Sequence, residues 1–333
     1  MASNCCVLPY VVLRKKNDKM IFFDFYMVTY LRIYNKVLAL KKEWLCKRHF
    51  FNPGKAAVFT LAPYTKIGNE QKHKEILAYL QRYVGDSLPE GYSLAEPVRD
   101  DCPLWVYWHQ SFENAPPIVK KAYSNLLKYA GSHKVIALDK NNISEYVSFP
   151  NYIYEKLYSG KITLTHFSDL LRMALLSEYG GFWIDSTILL SEYLPHYDSP
   201  FYSIKNNTYN PRYVNGGNMW SAFFIGTGPK NAVAKYILDL FLNYWKEEEC
   251  LIDYFLVDYS IAIAYDKFEE FKKVIDANPI DNAEVVKMAT MLNWEFDRNV
   301  WDELYHSQVI HKLSWKLPLK KGNTIANYII NDL

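Results

Sequence analysis

The stretch Phe167–Leu190, FSDLLRMALLSEYGGFWIDSTILL, decides the fold. Leu170, Leu171, Ala174 and Leu175 recur at helical spacing, Ser168 is placed to cap the start of that helix, and Gly180-Gly181 is placed to end it. Asp169 and Arg172 stand three apart in the expected first turn and therefore share a face. Phe182-Trp183-Ile184 then reads as a short buried strand that delivers Asp185 to its carboxyl end. A carboxylate in such a place is costly unless a partner compensates it. A hard divalent cation bridging to diphosphate oxygens is one such partner, because Mg²⁺ and Mn²⁺ favour one or two carboxylates together with phosphates.

Upstream, Leu104-Trp105-Val106-Tyr107-Trp108 is an apolar run bounded by Pro103 and polar residues, the pattern of a buried strand. A proline-started helical segment, APPIVKKAYSNLLKYAG, runs to Gly131, and Lys134-Val135-Ile136-Ala137-Leu138 reads as the next strand. Strand, helix and strand at these lengths form a βαβ unit. The expected class is therefore α/β, with a mainly parallel sheet flanked by helices and a ligand crevice at the carboxyl ends of its strands.

The amino-terminal part differs in character. Met20–Leu40 is the most apolar long run, but Asp24, Arg32 and Lys36 interrupt it, and each charge near a bilayer centre costs roughly 2.5–3.5 kcal/mol. An amphipathic helix is expected instead. Arg14, Lys15, Lys16 and Lys19 precede it, and Lys41, Lys42, Lys47 and Arg48 come after, interleaved with Trp44, His49, Phe50 and Phe51. Basic residues beside aromatics suit an anionic membrane surface. Turn-rich sequence fills 52–103 around the helical pattern HKEILAYLQRYV, so the boundary is placed near Asp101. Residues 1–102 are expected to form a helical extension, membrane-associating or acceptor-side, and 103–333 the main domain.

Composition narrows the function further. With 50% hydrophobic and 22% charged residues the chain has material for an ordinary core, which excludes a disordered protein. Its net charge of +2 gives no basic field of the kind nucleic-acid binding requires. Aromatic content of 17% is high, and rings with a polar handle suit sugar faces and headgroup regions as well as a core. Cys5, Cys6, Cys46, Cys102 and Cys250 are odd in number and follow neither a metal-ligand nor a disulfide rhythm, and the opening residues lack a secretory signal. A cytoplasmic protein, peripheral on the inner face of the cell membrane, is the expectation.

Four segments taken in order carry a family resemblance: W-V-Y-W-H-Q at 105–110, S-D-x-x-R with Y-G-G-x-W-x-D at 168–185, W-S-A-F-F-I-G-T at 220–227, and H-K-L-S-W at 311–315. Together they resemble the capsular polysaccharide synthesis proteins among the DXD-type sugar transferases, over about residues 103–316. The resemblance implies a GT-A-like fold and a retaining, metal-assisted glycosyltransferase. It implies a nucleotide-diphosphate sugar donor, a UDP-sugar foremost, and a capsule, lipopolysaccharide or similar glycan acceptor, free or lipid-linked. Carried over by position, Tyr107, Trp108, His109 and Gln110 would line the base and ribose pocket, and Asp169 and Arg172 would contact the donor sugar or its diphosphate. Asp185 would take the first position of the acidic motif, His311 and Ser314 would stand where a late metal or phosphate ligand comes in, and Trp315 would close over the diphosphate. The motif reads Asp185-Ser186-Thr187, so a hydroxyl stands where the pattern has its second carboxylate. With Asp185, Thr187 and His311 as the metal set, the imidazole favours manganese over magnesium.

An inverting reaction would instead need a carboxylate to activate the acceptor hydroxyl, and Asp253 and Asp258 in LIDYFLVDYSIAIAY are the candidates. Asn215-Gly216-Gly217-Asn218 is a turn whose place before W-S-A-F-F suggests an acceptor-side loop. Two alternatives stay open. A sugar-phosphate transferase of the same pathway would release a nucleoside monophosphate, and a non-catalytic nucleotide-sugar or glycan-binding relative would release nothing.

Overall fold

The computed structural model describes residues 18–61, 65–206, 209–216 and 219–333. The chain divides into two compact units, Met1–Thr60 and Leu61–Leu333. The division thus falls well before Asp101, because the turn-rich segment after residue 60 folds with the strands and helices of the main domain. In the first unit, helix α1 (Asp18–Phe50) is joined by a short turn to α2 (Pro53–Leu61). Buried Lys47 ties the turn together, donating to Glu43 at 2.6 Å and to the Phe59 carbonyl at 3.1 Å. Phe51 packs edge-on against Phe59 with ring centroids 5.1 Å apart. Arg14, Lys15 and Lys16 lie outside the described residues.

The second unit begins with α3 (Lys66–Leu80), capped by the Thr65 hydroxyl, which accepts from Gly68 N at 3.1 Å. Strands β1 (Leu104–Tyr107) and β2 (Val135–Leu138) flank α4 (Pro117–Lys128) as a parallel βαβ unit in the register Leu104↔Val135 to Tyr107↔Leu138. Helices α5 (Asn151–Tyr158) and α6 (Leu164–Glu178) lead to β3 (Gly181–Ile184), which pairs parallel with β1. After β4 (Ile188–Leu190) come β5 (Phe201–Ser203) and β6 (Phe224–Thr227). The central sheet has the order β2-β1-β3-β6-β5, with β6 antiparallel to both its neighbours. Four of its five strands therefore point the same way, as a mainly parallel sheet requires. The reversed β6 has a functional consequence: its first residues lie beside the last residue of β3, in the register Ile184↔Phe224.

Helices α7 (Ala232–Glu247), α8 (Leu256–Lys267), α9 (Glu269–Ala277), α10 (Lys287–Met291) and α11 (Arg298–His306) come next, then β7 (Ile310–Lys312) and α12 (Ile325–Asn331). Strand β7 runs back over 100 residues to pair antiparallel with β4, opposing Ile188 to Lys312, Leu189 to His311 and Leu190 to Ile310. Buried Asn125 on α4 locks the outer end of this ribbon, accepting from Leu190 N at 2.7 Å and donating to Leu190 O at 3.0 Å.

Helix α6 is nearly all buried, from Phe167 through Leu170, Leu171, Met173, Leu175 and Leu176, and packs against α7 and β3. Its cap is Thr163, which accepts from His166 N at 3.2 Å, not Ser168, whose hydroxyl donates to Thr165 O. The helix starts a turn earlier than the pattern around Ser168 predicts, so Asp169 and Arg172 sit past its first turn. It ends at Gly180 in the left-handed region, φ 65°, and Gly181 is next at φ 92°. A Cβ at Gly181 would lie 2.3 Å from the Pro103 carbonyl oxygen, so only glycine lets β3 start against the segment before β1.

Candidate active site

Three strand ends meet around one cavity of about 820 Å³, within the ~300–1,000 Å³ typical of ligand pockets. Strand β1 supplies Tyr107 and the loop Trp108-His109-Gln110, β3 supplies Asp185, and the segment before β6 supplies Trp220, Ser221 and Phe223. Helix α6 adds Asp169 and Arg172, and β7 with its adjoining loop adds Lys312, Ser314 and Trp315. Trp108 and Trp315 meet edge to face at 5.3 Å and form an aromatic wall. The Tyr107 hydroxyl and His109 Nδ1 are hydrogen-bonded at 2.7 Å. Burial, aided by Lys140, lowers the His109 pKa. The loop ends at Ser111 with φ 71° and ψ 152°, a conformation nearly confined to glycine, and Ser111 N donates to Trp108 O at 2.9 Å.

The charged residues form one network. Arg172 Nη1 donates to Asp169 Oδ1 at 2.8 Å and Nη2 to Asp185 Oδ1 at 3.4 Å. Trp183 Nε1 donates to the same Asp185 oxygen at 3.0 Å, and the Arg172 guanidinium lies 5.0 Å from the Trp183 ring. Lys312 Nζ donates to Asp185 Oδ2 at 2.7 Å and to Thr187 Oγ1 at 2.8 Å. Burial pushes the Asp185 carboxyl up, but Lys312 and Arg172 outweigh it and hold the group below the usual carboxylate range. The buried Arg172 Nε makes no protein hydrogen bond. Asp258 on α8 also lines the cavity and accepts from Trp220 Nε1 at 3.2 Å, and burial, reinforced by Asp169, raises its pKa to about 7.

Most of the residues expected from sequence line this cavity: Tyr107, Trp108, His109, Gln110, Asp169, Arg172, Asp185, Thr187, Asn215, Asp258, Ser314 and Trp315. Three do not. His311 is fully buried on the opposite face of β7, its Nε2 hydrogen-bonded to Tyr305 O at 2.9 Å and its ring stacked on Tyr305. Burial lowers its pKa to about 4. Strand alternation places Lys312, one residue on, in the cavity. Asp253 is ion-paired to Lys72 at 3.2 Å and accepts from Phe255 N at 3.0 Å, which makes it part of the loop before α8. Gly216 closes a tight turn, its N–H donating to Tyr213 O at 3.1 Å; Gly217 and Asn218 lie outside the described residues. Lys312, Trp183 and Trp220 are functional candidates that the motif reading quotes but assigns no role.

The residues do not fit a divalent ion. Among the described residues no group of three or more His, Cys, Asp or Glu side chains is gathered, and the smaller set that Mg²⁺ or Mn²⁺ would share with phosphates, Asp185 and Thr187, is already bound by Lys312. Both Asp185 oxygens and the Thr187 hydroxyl accept from protein donors, His311 faces away, and a cationic side chain occupies the space between Asp185 and Thr187.

Sequence comparison matches residues 58–332 to the capsular polysaccharide synthesis protein family, and the chain belongs to that family. Over 116 residues it is 29% identical to the O-glycosyltransferase braB of Annulohypoxylon truncatum, covering 32% of this chain and 28% of that protein. Over 104 residues it is 28% identical to the O-glycosyltransferase PaGT of Phomopsis amygdali, covering 28% and 26%. The matched region thus spans about a quarter of each curated relative's length. A solved structure, the PaToxG glycosyltransferase, aligns with 65% of this chain and 83% of its own at 14% identity and a TM-score of 0.38, a likeness too distant to carry an argument.

Proposed function

We propose that the protein is a glycosyltransferase that moves a sugar from a nucleoside-diphosphate donor, a UDP-sugar foremost, to a hydroxyl of a capsule, lipopolysaccharide or related glycan acceptor. The observation that carries this reading is that the Trp108–Trp315 pair and the Asp169–Arg172–Asp185 network line one cavity at the strand ends. Aromatic faces suit a base and a sugar, and a guanidinium fork suits phosphate oxygens. The relatives' name, O-glycosyltransferase, supports oxygen as the accepting atom.

In the transfer, the bond between the anomeric carbon and the diphosphate oxygen breaks and its electron pair leaves on the diphosphate. The acceptor oxygen forms the new bond, and its proton passes to the departing diphosphate if configuration is retained. Because negative charge grows on the leaving group, Arg172 aids the reaction most by stabilising that charge. A second reading, inversion, is favoured by one observation: Asp258 lines the cavity with a carboxyl raised to about 7, suited to take the acceptor proton near neutral pH. Proton NMR of the product's anomeric centre separates the two.

The test of the function is thermal stabilisation by a panel of nucleotide sugars and their nucleoside diphosphates. A donor present at 100 times its dissociation constant adds about 2.7 kcal/mol to stability. A selective upward shift with one nucleotide class is expected, and a flat panel rejects the reading. We also propose peripheral membrane docking through α1, where exposed Ile33, Tyr34, Val37 and Leu38 are interspersed with exposed Lys36, Lys41 and Lys42.

A further inference from the structure

We propose that Lys312 takes the place of the divalent cation: its ammonium, held by Asp185 and Thr187, binds the donor's diphosphate together with Arg172, and the site works without a metal ion. This inference rests on the nucleotide-donor reading of the cavity.

The geometry is that of a cation seated in a two-residue motif. The ammonium lies 2.7 Å from Asp185 Oδ2 and 2.8 Å from Thr187 Oγ1, at the first and last positions of Asp185-Ser186-Thr187. Two of its three donors are thereby used and one is left for a ligand, while the Phe223 ring lies 5.0 Å away. The hydroxyl at Thr187, a weak ligand for a hard cation, is an adequate acceptor for an ammonium. One carboxylate also balances one ammonium, whereas a second carboxylate would leave the pair negative where a diphosphate must bind.

The fold fixes this arrangement from two directions. Pairing of β4 with β7 sets Ile188 opposite Lys312, and Leu313 N donates to Thr187 O at 2.8 Å, so the lysine and the motif are held by the same ribbon. Arg172 reaches the other Asp185 oxygen from α6. Two cations thus flank one carboxylate at the cavity, and both line it. As the glycosyl bond breaks and its electron pair stays on the diphosphate oxygen, the two cations face the growing charge. Asp185 is then a positioning residue that aims Lys312.

Calorimetric titration of UDP and GDP into the full chain tests this directly, once in EDTA and once in Mn²⁺. The expected result is binding of one of them with dissociation constants that agree within about twofold. Lys312→Ala is expected to weaken that binding at least 30-fold in EDTA with secondary structure unchanged, and Lys312→Arg to recover most of it. Removal of one such charge should also lower turnover by about 100-fold. Binding that appears only with Mn²⁺ or Mg²⁺ overturns the inference and leaves the donor reading standing, and this comparison needs no variant to fold. Lys312→Ala binding as tightly as the parent overturns it as well. If neither nucleotide binds under either condition, the donor reading fails and the inference fails with it.

Discussion

A carboxyl buried as Asp258 is must hold a proton or cost stability. It titrates at about 7 where 3.8 is ordinary, with burial the largest cause, Asp169 and Asp253 adding to it, and Trp220 and Arg172 opposing. The folded state therefore grips the proton harder than the unfolded chain, and stability falls as pH rises from about 4 to about 7, by on the order of 4 kcal/mol. Asp258→Asn stays neutral and keeps an oxygen for Trp220 Nε1, so its melting temperature should exceed the parent's at pH 8 and match it near pH 4. A difference that does not grow across that range contradicts the assignment. Arg172 makes a different demand, because it bridges two carboxylates with one planar fork. Arg172→Lys should lower turnover by about 100-fold while the protein stays folded, and near-normal turnover would show that the fork faces no substrate charge. Asp169, Arg172 and Asp185 were legible in the sequence because local spacing places them. His311 was not, since which of two neighbours on a strand faces a cavity depends on register, and that register is set by a partner strand far away in the chain.

The unit made of α6, the Gly180-Gly181 turn and β3 positions the chemistry. Apolar spacing reveals the helix and the glycine pair reveals its end, and both stand close to where the pattern puts them. The helix start lay hidden because Thr163 and Ser168 are both competent caps and only the buried length of the helix selects between them. The parallel β1-β2 unit was legible from its local strand-helix-strand rhythm. The reversal of β6 and the β4–β7 ribbon were not, because pairing between distant segments leaves no local periodicity. Gly181 tests the unit. Alanine there must adopt a left-handed φ and meet the Pro103 carbonyl oxygen, so Gly181→Ala should cost about 1–3 kcal/mol from the backbone alone, with the clash added, read as a lowered denaturation midpoint. An unchanged midpoint would mean that β3 can start elsewhere.

At the scale of the molecule, family membership covers nearly all of the second unit, whereas the first unit contributes only its last few residues to the match. The proposed membrane docking is assigned to the first unit, through α1. Among the described residues no helix is long and apolar enough to cross a membrane. Replacing Ile33, Val37 and Leu38 together with Asn in the full chain should reduce co-sedimentation with anionic vesicles several-fold and leave nucleotide binding intact. Equal sedimentation would remove α1 from any membrane role. A glycosyltransferase of the proposed kind transfers a sugar and releases a nucleoside diphosphate. Phosphorus NMR of the full chain incubated with UDP-sugars and a glycan acceptor reads that product directly. The two resonances of UDP should grow in with a single donor, and far more slowly with Arg172→Lys; accumulation of UMP, or an unchanged donor spectrum across every sugar tried, would rule out the proposed transfer.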